Sequence, residues 1–222
     1  MDFTSDTREN YLKAIFKLCE KTGEPTSTNA VSHMLKTSPA SVTDMLKKLA
    51  EKKLVNHVKY KGVSLTASGT KEAIKIIRKH RLWEFFLVDK LGFSWEEVHN
   101  VAEQLEHIKS PILVKRLDQY LGHPRFDPHG GPIPDHNGKI KPQVSVRLSK
   151  LKAGSSASIV GVEEDSAHFL NYLNSIKIAI GTKVKVLEHI EYDDSMVISI
   201  GKNPVTISSK VSGNIYVKAM QK

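Results

Sequence analysis

Apolar side chains in this chain keep two different periods, and the change between them falls near residue 143. Before that point they recur every three or four residues, the spacing of one helix face. From Val144 onwards they come in short β-like runs at 157–162, 183–188, 196–200, 205–207 and 215–217, punctuated by Gly, Asn and Asp. A short helix is expected at about 166–173. A chain that keeps the two periods apart has to build a helical part and a separate small β part, so the expected class is mainly α with a small β domain. Five short strands in so short a tail predict a small barrel.

The helical part opens with apolar positions at Tyr11, Leu12, Ile15, Phe16, Leu18 and Cys19, which predict a helix over 7–22 ended by Gly23 and Pro25. Thr28 is expected to cap a second, short helix with Val31, Met34 and Leu35 inward. Ser38 then caps a third, with Pro39 at its first position and Val42, Met45, Leu46 and Leu49 inward. Its outer face carries Ala40, Ser41, Thr43, Asp44, Lys47 and Lys48. Two short helices joined by a tight turn are the pattern of a helix-turn-helix. Small residues let the helix N-terminus enter a major groove, hydroxyls reach phosphates or base edges, and lysines neutralise the backbone. Val55 and Val58, a basic turn with Lys59, Lys61 and Gly62, and then Val63 and Leu65 form a two-stranded wing. The candidate DNA contacts are Ser38, Pro39, Ala40, Ser41, Thr43, Asp44, Lys47, Lys48, Lys59 and Lys61. A net charge of +9 favours a polyanionic partner. The competing reading is a helical domain whose lysines only keep it in solution.

A second pattern concerns metal. If 95–108 is one helix, His99, Glu103, Glu106 and His107 share a stripe about 100° wide. His80 and Glu84, four apart on the preceding helix, share a face as well. Imidazole and carboxylate without thiolate suit Mn²⁺ or Fe²⁺, whereas a closed zinc site usually recruits cysteine. The chain has one cysteine, Cys19, which fits a small buried hydrophobe. His123, His129 and His136, in a Pro- and Gly-rich stretch, lack a spacing that would hold them together and read as parts of an ordered turn and linker.

In order, the winged helix-turn-helix, KHRLWEFFL at 79–87, VHNVAEQLEH at 98–107 and HPRFDPHGGPIP at 123–134 resemble the DtxR/MntR family of metal-dependent transcriptional regulators. The likeness runs over nearly the whole chain and is that of the long form with a C-terminal SH3-like domain. It implies a winged helix-turn-helix domain at 1–72, a helical metal-binding and dimerisation domain at 73–142, and an SH3-like (FeoA-like) domain at 143–222. It implies a homodimeric repressor that binds double-stranded operator DNA when Mn²⁺ is bound; the alternative is an Fe²⁺-responsive repressor of iron uptake. By position, Asn10, Glu103, Glu106 and His107 would form the primary metal site, and His80, Glu84 and His99, with Asp165 and His168, an ancillary one. Capping of the helix near 166 is the other role open to Asp165. The chain departs from the family where it has Glu103 for cysteine and Asn10 for methionine or aspartate. Glu9, beside Asn10, points elsewhere on a helix, although a frayed turn would let it substitute.

A metal-dependent hydrolase is the rival from another class. The chain offers no nucleophile or general-base motif for it, and a site closed by protein ligands would speak for a regulator. No run reaches 18 apolar residues and the N-terminus lacks a signal pattern, so a cytoplasmic protein without membrane attachment is expected.

Overall fold

The structure is a computed structural model that describes residues 5–58 and 62–220. Helix α1 (Ser5–Thr22) buries Tyr11, Leu12, Ala14 and Ile15, and with them the polar Lys13. It stops at Gly23, which takes φ +73° and returns its N–H to the Cys19 carbonyl at 2.8 Å. Helix α2 (Thr28–Leu35) is capped by Ser27 rather than Thr28, the Ser27 hydroxyl accepting the Ala30 N–H at 3.1 Å. It ends on Lys36 at φ 49°, a left-handed residue that makes the turn to α3 tight. Met34 is 40% exposed and lies outside the inner face expected of it.

Helix α3 (Pro39–Glu51) starts as expected, with the Ser38 hydroxyl accepting the Ser41 N–H at 3.1 Å and Pro39 in the first turn. It buries Val42, Met45, Leu46 and Leu49 in one core with Tyr11, Leu12, Ile15, Val31, Leu54, Val55, Val63 and Ala73. Strands β1 (Val55–Val58) and β2 (Gly62–Leu65) pair antiparallel as the wing, with Val55 opposite Leu65. Val63 also exchanges backbone hydrogen bonds with Thr26, which ties the wing to the segment before α2. Lys59 and Lys61 fall outside the described residues.

Helix α4 (Ala67–Leu91) is opened by Thr66, whose hydroxyl accepts the Gly69 N–H at 3.1 Å. Helix α5 covers only Val98–Leu105, shorter than the expected 95–108. Ser94 and Glu97 close a turn ahead of it, with the Ser94 hydroxyl 2.6 Å from the Glu97 carboxylate. At its end, the Ile108 N–H closes on the Leu105 carbonyl, and Pro111 begins α6 (Pro111–Tyr120). Glu106 and His107 therefore stand in the turn after α5, beyond its last turn. On α6 Leu117 is buried, while Ile112 (61%) and Tyr120 (68%) are exposed.

Beyond β3 (Val146–Arg147) the chain builds β4 (Ser156–Val162), α7 (Ala167–Ser175), β5 (Lys183–Ile190), β6 (Ser195–Ile200), β7 (Asn203–Ile207), α8 (Ser209–Gly213) and β8 (Ile215–Ala219). The six strands form one antiparallel sheet in the order β3-β8-β4-β5-β6-β7. Alternate residues of β4, Ala157 and Ile159, join Leu170, Leu173, Val186, Ile198, Ile215 and Val217 in a second core. The fold is thus a helical region with a winged helix-turn-helix, followed by a small SH3-like β domain.

Contacts divide the chain into two compact units. The first holds the residues through His80 together with Glu103–Val114 and Pro134–Lys139, and the second holds Arg81–Ala102, Lys115–Ile133 and Ile140–Lys222. No helix among the described residues is long and apolar enough to cross a membrane.

Candidate metal centre and nucleic-acid surface

Within the first unit, α1, α4 and the turn after α5 bring their polar side chains together. Glu106 is fully buried, and both of its oxygens are engaged: Oε1 accepts from Lys13 Nζ at 2.5 Å and Oε2 from His80 Nδ1 at 2.6 Å. Burial alone would raise the Glu106 carboxyl, but the His80 hydrogen bond and the Lys13 ammonium outweigh it and hold the group below the usual carboxylate range. Lys13 Nζ also donates to Glu103 Oε1 at 3.2 Å.

His107 Nδ1 lies 2.8 Å from Glu9 Oε2, and Lys79 Nζ is 3.7 Å from the same oxygen. Because a carboxylate only accepts, the Nδ1 proton is donated to Glu9. In the neutral ring this puts the lone pair on Nε2, which lies 3.8 Å from Glu106 Oε1. Asn10 Oδ1 is buried and, among the described residues, accepts no hydrogen bond, an arrangement that disfavours the site as it stands. Of the four residues expected in the primary site, Glu103 and Glu106 are joined through Lys13 and His107 borders Glu106, while Asn10 stands on α1 in the same unit.

Of the residues expected in the ancillary site, His80, Glu84 and His99 have ligand atoms within 4.8 Å of one another. His80 Nδ1 also lies 2.6 Å from Glu106 Oε2. In the second unit, Glu84 Oε1 is 3.3 Å from His99 Nδ1, and His99 is 3.9 Å from Asp165 Oδ2. The α7 cap is Ser166, whose hydroxyl accepts the Phe169 N–H at 3.3 Å, so Asp165 does not serve as cap. His168 is exposed on α7.

Sequence reading left Asp127 out of the site and placed His129 in a turn; the structure places both beside Glu84. Ligand atoms of Glu84, Asp127 and His129 lie within 4.8 Å of one another, and all three residues are buried. His129 Nε2 donates to the Trp95 carbonyl at 2.7 Å, which leaves Nδ1 to face Glu84 Oε1 at 3.7 Å. Burial would lower the His129 imidazolium, but the carboxylates of Glu84 and Asp127 and the Trp95 carbonyl raise it to about 9. Asp127 is pushed above its usual range by burial and by Glu84, against the pull of Arg81 and His129.

The turn reading still describes the backbone. Asp127 Oδ1 accepts the N–H groups of His129 (2.8 Å) and Gly131 (2.9 Å), and Val162 N–H donates to the His129 carbonyl at 2.9 Å. The only sequence signal for this pair was a carboxylate and an imidazole two residues apart around a proline. The parallel signal for Lys13 was a lysine among the apolar positions of α1, four residues after Glu9.

On the nucleic-acid side, Ser38, Pro39, Ala40, Ser41, Asp44, Lys47 and Lys48 are exposed along one face of α3. Thr43 is half-buried and donates its hydroxyl to the Pro39 carbonyl at 2.9 Å. Lys47 lies 3.6 Å from Asp44, a contact easily exchanged for phosphate at such exposure.

Comparison with known proteins agrees with this layout. Residues 3–63 match the model of the iron-dependent repressor N-terminal DNA-binding domain. Residues 66–135 match that of the iron-dependent repressor metal-binding and dimerisation domain, and 146–219 that of the FeoA domain. The iron-dependent repressor IdeR of Mycobacterium leprae is 30% identical over 224 residues, which cover 96% of this chain and 88% of that one. The diphtheria toxin repressor of Corynebacterium efficiens is 30% identical over 193 residues, 82% of this chain and 83% of its own. Among solved structures, a manganese-dependent transcriptional repressor in complex with manganese superposes with TM-score 0.85 at 32% identity, covering 96% of this chain and 100% of that one.

Proposed function

The chain belongs to the iron-dependent repressor family of metal-dependent, DNA-binding transcriptional repressors, which are not enzymes, and from that premise we propose that it is a homodimeric repressor controlled by Mn²⁺, with Fe²⁺ the alternative co-effector. One observation carries the reading: the fully buried Glu106, with Glu103 joined to it through Lys13 and His107 beside it, lies in the same compact unit as Asn10 and the winged helix-turn-helix. The donors fit a hard divalent cation, being two carboxylates, the Nε2 lone pair of His107 and the orphan Asn10 Oδ1, with no sulfur. Glu84, Asp127 and His129 are the proposed core of a second site, with His99 and Asp165 beside it.

A bound divalent cation would supply the concentrated positive charge that holds the carboxylates, the imidazole and the Asn10 carbonyl together. The chain's own groups do the rest. Glu9 orients the His107 ring, as an outer-shell carboxylate does for a metal-ligating histidine. Asn10, on α1, links the cluster to the helix whose Leu12 and Ile15 share a core with α2 and α3. Fixing α1 therefore fixes the recognition helix. The exposed Ile112 and Leu113 on α6 are the apolar surface offered for dimerisation. The division into domains at 1–72, 73–142 and 143–222 is retained in this reading, supported by three family models matched in succession.

The test is operator affinity measured anaerobically against buffered Mn²⁺ and Fe²⁺, for the native chain and for Glu106→Gln. The native chain should bind operator only with metal, and E106Q should lose at least about a hundredfold of that promotion, since it removes a buried charge from the cluster. Equal affinity with chelator and with either metal would overturn the reading. Promotion by Zn²⁺ alone at matched free concentration would overturn the metal preference.

A further inference from the structure

One lysine reaches both cluster carboxylates. Lys13 Nζ stands 2.5 Å from Glu106 Oε1 and 3.2 Å from Glu103 Oε1, and its side chain is only 9% exposed. It is a compact, single positive charge held between the two carboxylates by a stem buried in α1. Nothing in the repressor's DNA-facing surface or hydrophobic core requires a lysine there. Leu12 and Ile15 beside it on α1 are fully buried and apolar, so burying an ammonium among them is favourable only because both carboxylates face it.

We propose that Lys13 is an internal competitor for the regulatory metal, a tethered cation that neutralises the Glu103–Glu106 pair in the metal-free chain and must withdraw from both carboxylates before a divalent cation can be bound there. The inference rests on the function proposed above and deepens it, because it assigns the residue that sets the metal concentration at which the repressor switches. The Glu106 oxygen that accepts from Lys13 is the one 3.8 Å from the His107 Nε2 lone pair, so the ammonium and a ligated cation would draw on the same oxygen. Glu106 Oε2, by contrast, is held by His80 on its other side. Every hydrogen bond that Lys13 makes to the cluster is one that metal entry has to replace. Metal affinity is weakened by the strength of those bonds, while empty carboxylates are spared mutual repulsion.

The proposal separates Lys13 from a merely structural lysine through direct metal binding, with Mn²⁺ alone as probe and a competing chelator as reporter, on the full chain without DNA. Lys13→Leu, which keeps an apolar stem and adds no ligand atom, should tighten Mn²⁺ binding at the first-unit site by about tenfold or more, the equivalent of one charge-assisted hydrogen bond. Lys13→Arg keeps the charge and should stay near the native affinity. A Lys13→Leu chain that is folded by circular dichroism and binds Mn²⁺ with native or weaker affinity overturns the proposal.

A second measurement needs no variant. Amine labelling of the native chain, read by mass spectrometry at the Lys13 peptide, should be slow with chelator and rise several-fold with saturating Mn²⁺. Labelling of Lys13 that stays slow with metal bound also overturns it. If the native chain binds no Mn²⁺ or Fe²⁺ at all, the proposed function itself has failed, an outcome distinct from either result above.

Discussion

Gly130 shows how one residue seats the second candidate site. It takes φ +85°, and a Cβ added there would lie 2.1 Å from the Val160 carbonyl oxygen and 2.5 Å from Gly161 Cα. Only a residue without Cβ lets the turn bearing Asp127 and His129 come this close to β4. Gly154 is the natural control, since its φ of +84° is nearly the same but its Cβ position is open. Gly154→Ala should lose about 1 kcal/mol, the cost of a left-handed residue. Gly130→Ala adds a backbone clash and should lose roughly 2 to 4 kcal/mol in urea denaturation of the chelated protein. Equal losses would mean that the turn relaxes away from β4 without penalty. None of this was legible in the sequence, where GG after DPH signals a turn but says nothing of which backbone it meets. Lys13 was hidden for the same reason: its two partners lie about ninety residues further along the chain.

At the scale of elements, local chemistry was readable and its limits were set by side chains from elsewhere. The Ser38–Pro39 start of α3 and the 55–65 hairpin are encoded within a few residues, so the winged helix-turn-helix follows from the sequence. The stripe on α5 was overextended, because a periodic pattern does not reveal that Glu106 and His107 leave the helix. Spacing had grouped His99 with Glu106 and His107; the structure gives His99 to Glu84 in one unit and the other two to Lys13 and Glu9 in the other. Helix α3 makes a prediction of its own, since Lys47 and Lys48 are exposed on its outer face while Val42, Met45, Leu46 and Leu49 are buried. If both lysines neutralise phosphates, replacing them together with alanine should reduce the slope of log affinity against log salt by about 1.8 per protomer, or about 3.6 for the homodimer, at about 0.9 per phosphate contact. The slope is measured by fluorescence anisotropy on operator DNA with saturating Mn²⁺, and an unchanged slope would place both side chains away from the backbone.

For the whole molecule, the two proposed metal sites fall differently with respect to the two units. The cluster of Asn10, Glu103, Glu106 and His107 shares a unit with α1, α2, α3 and the wing, whereas Glu84, Asp127 and His129 belong with the β domain. A ligand shifts an equilibrium only by its differential affinity for the two states, so metal can promote DNA binding only from a site whose occupancy differs between the DNA-competent and incompetent arrangements. In the proposed reading the first cluster meets that condition, because Asn10 lies on α1, which packs in one core with α3. The second is held by its own unit through the Asp127 turn, the Trp95 carbonyl and β4. Asp127→Asn combined with His129→Gln should therefore bind one Mn²⁺ fewer per chain by competitive titration. It should keep metal-promoted operator binding with a midpoint shifted less than about tenfold, within the coupling expected of a site that only modulates. Loss of promotion as complete as in Glu106→Gln would mean that the two units are coupled at least as strongly as the first cluster is to α1. By reciprocity, operator DNA should then tighten metal at the second site as well, and its failure to do so in the native chain is the complementary sign that regulation resides in the first.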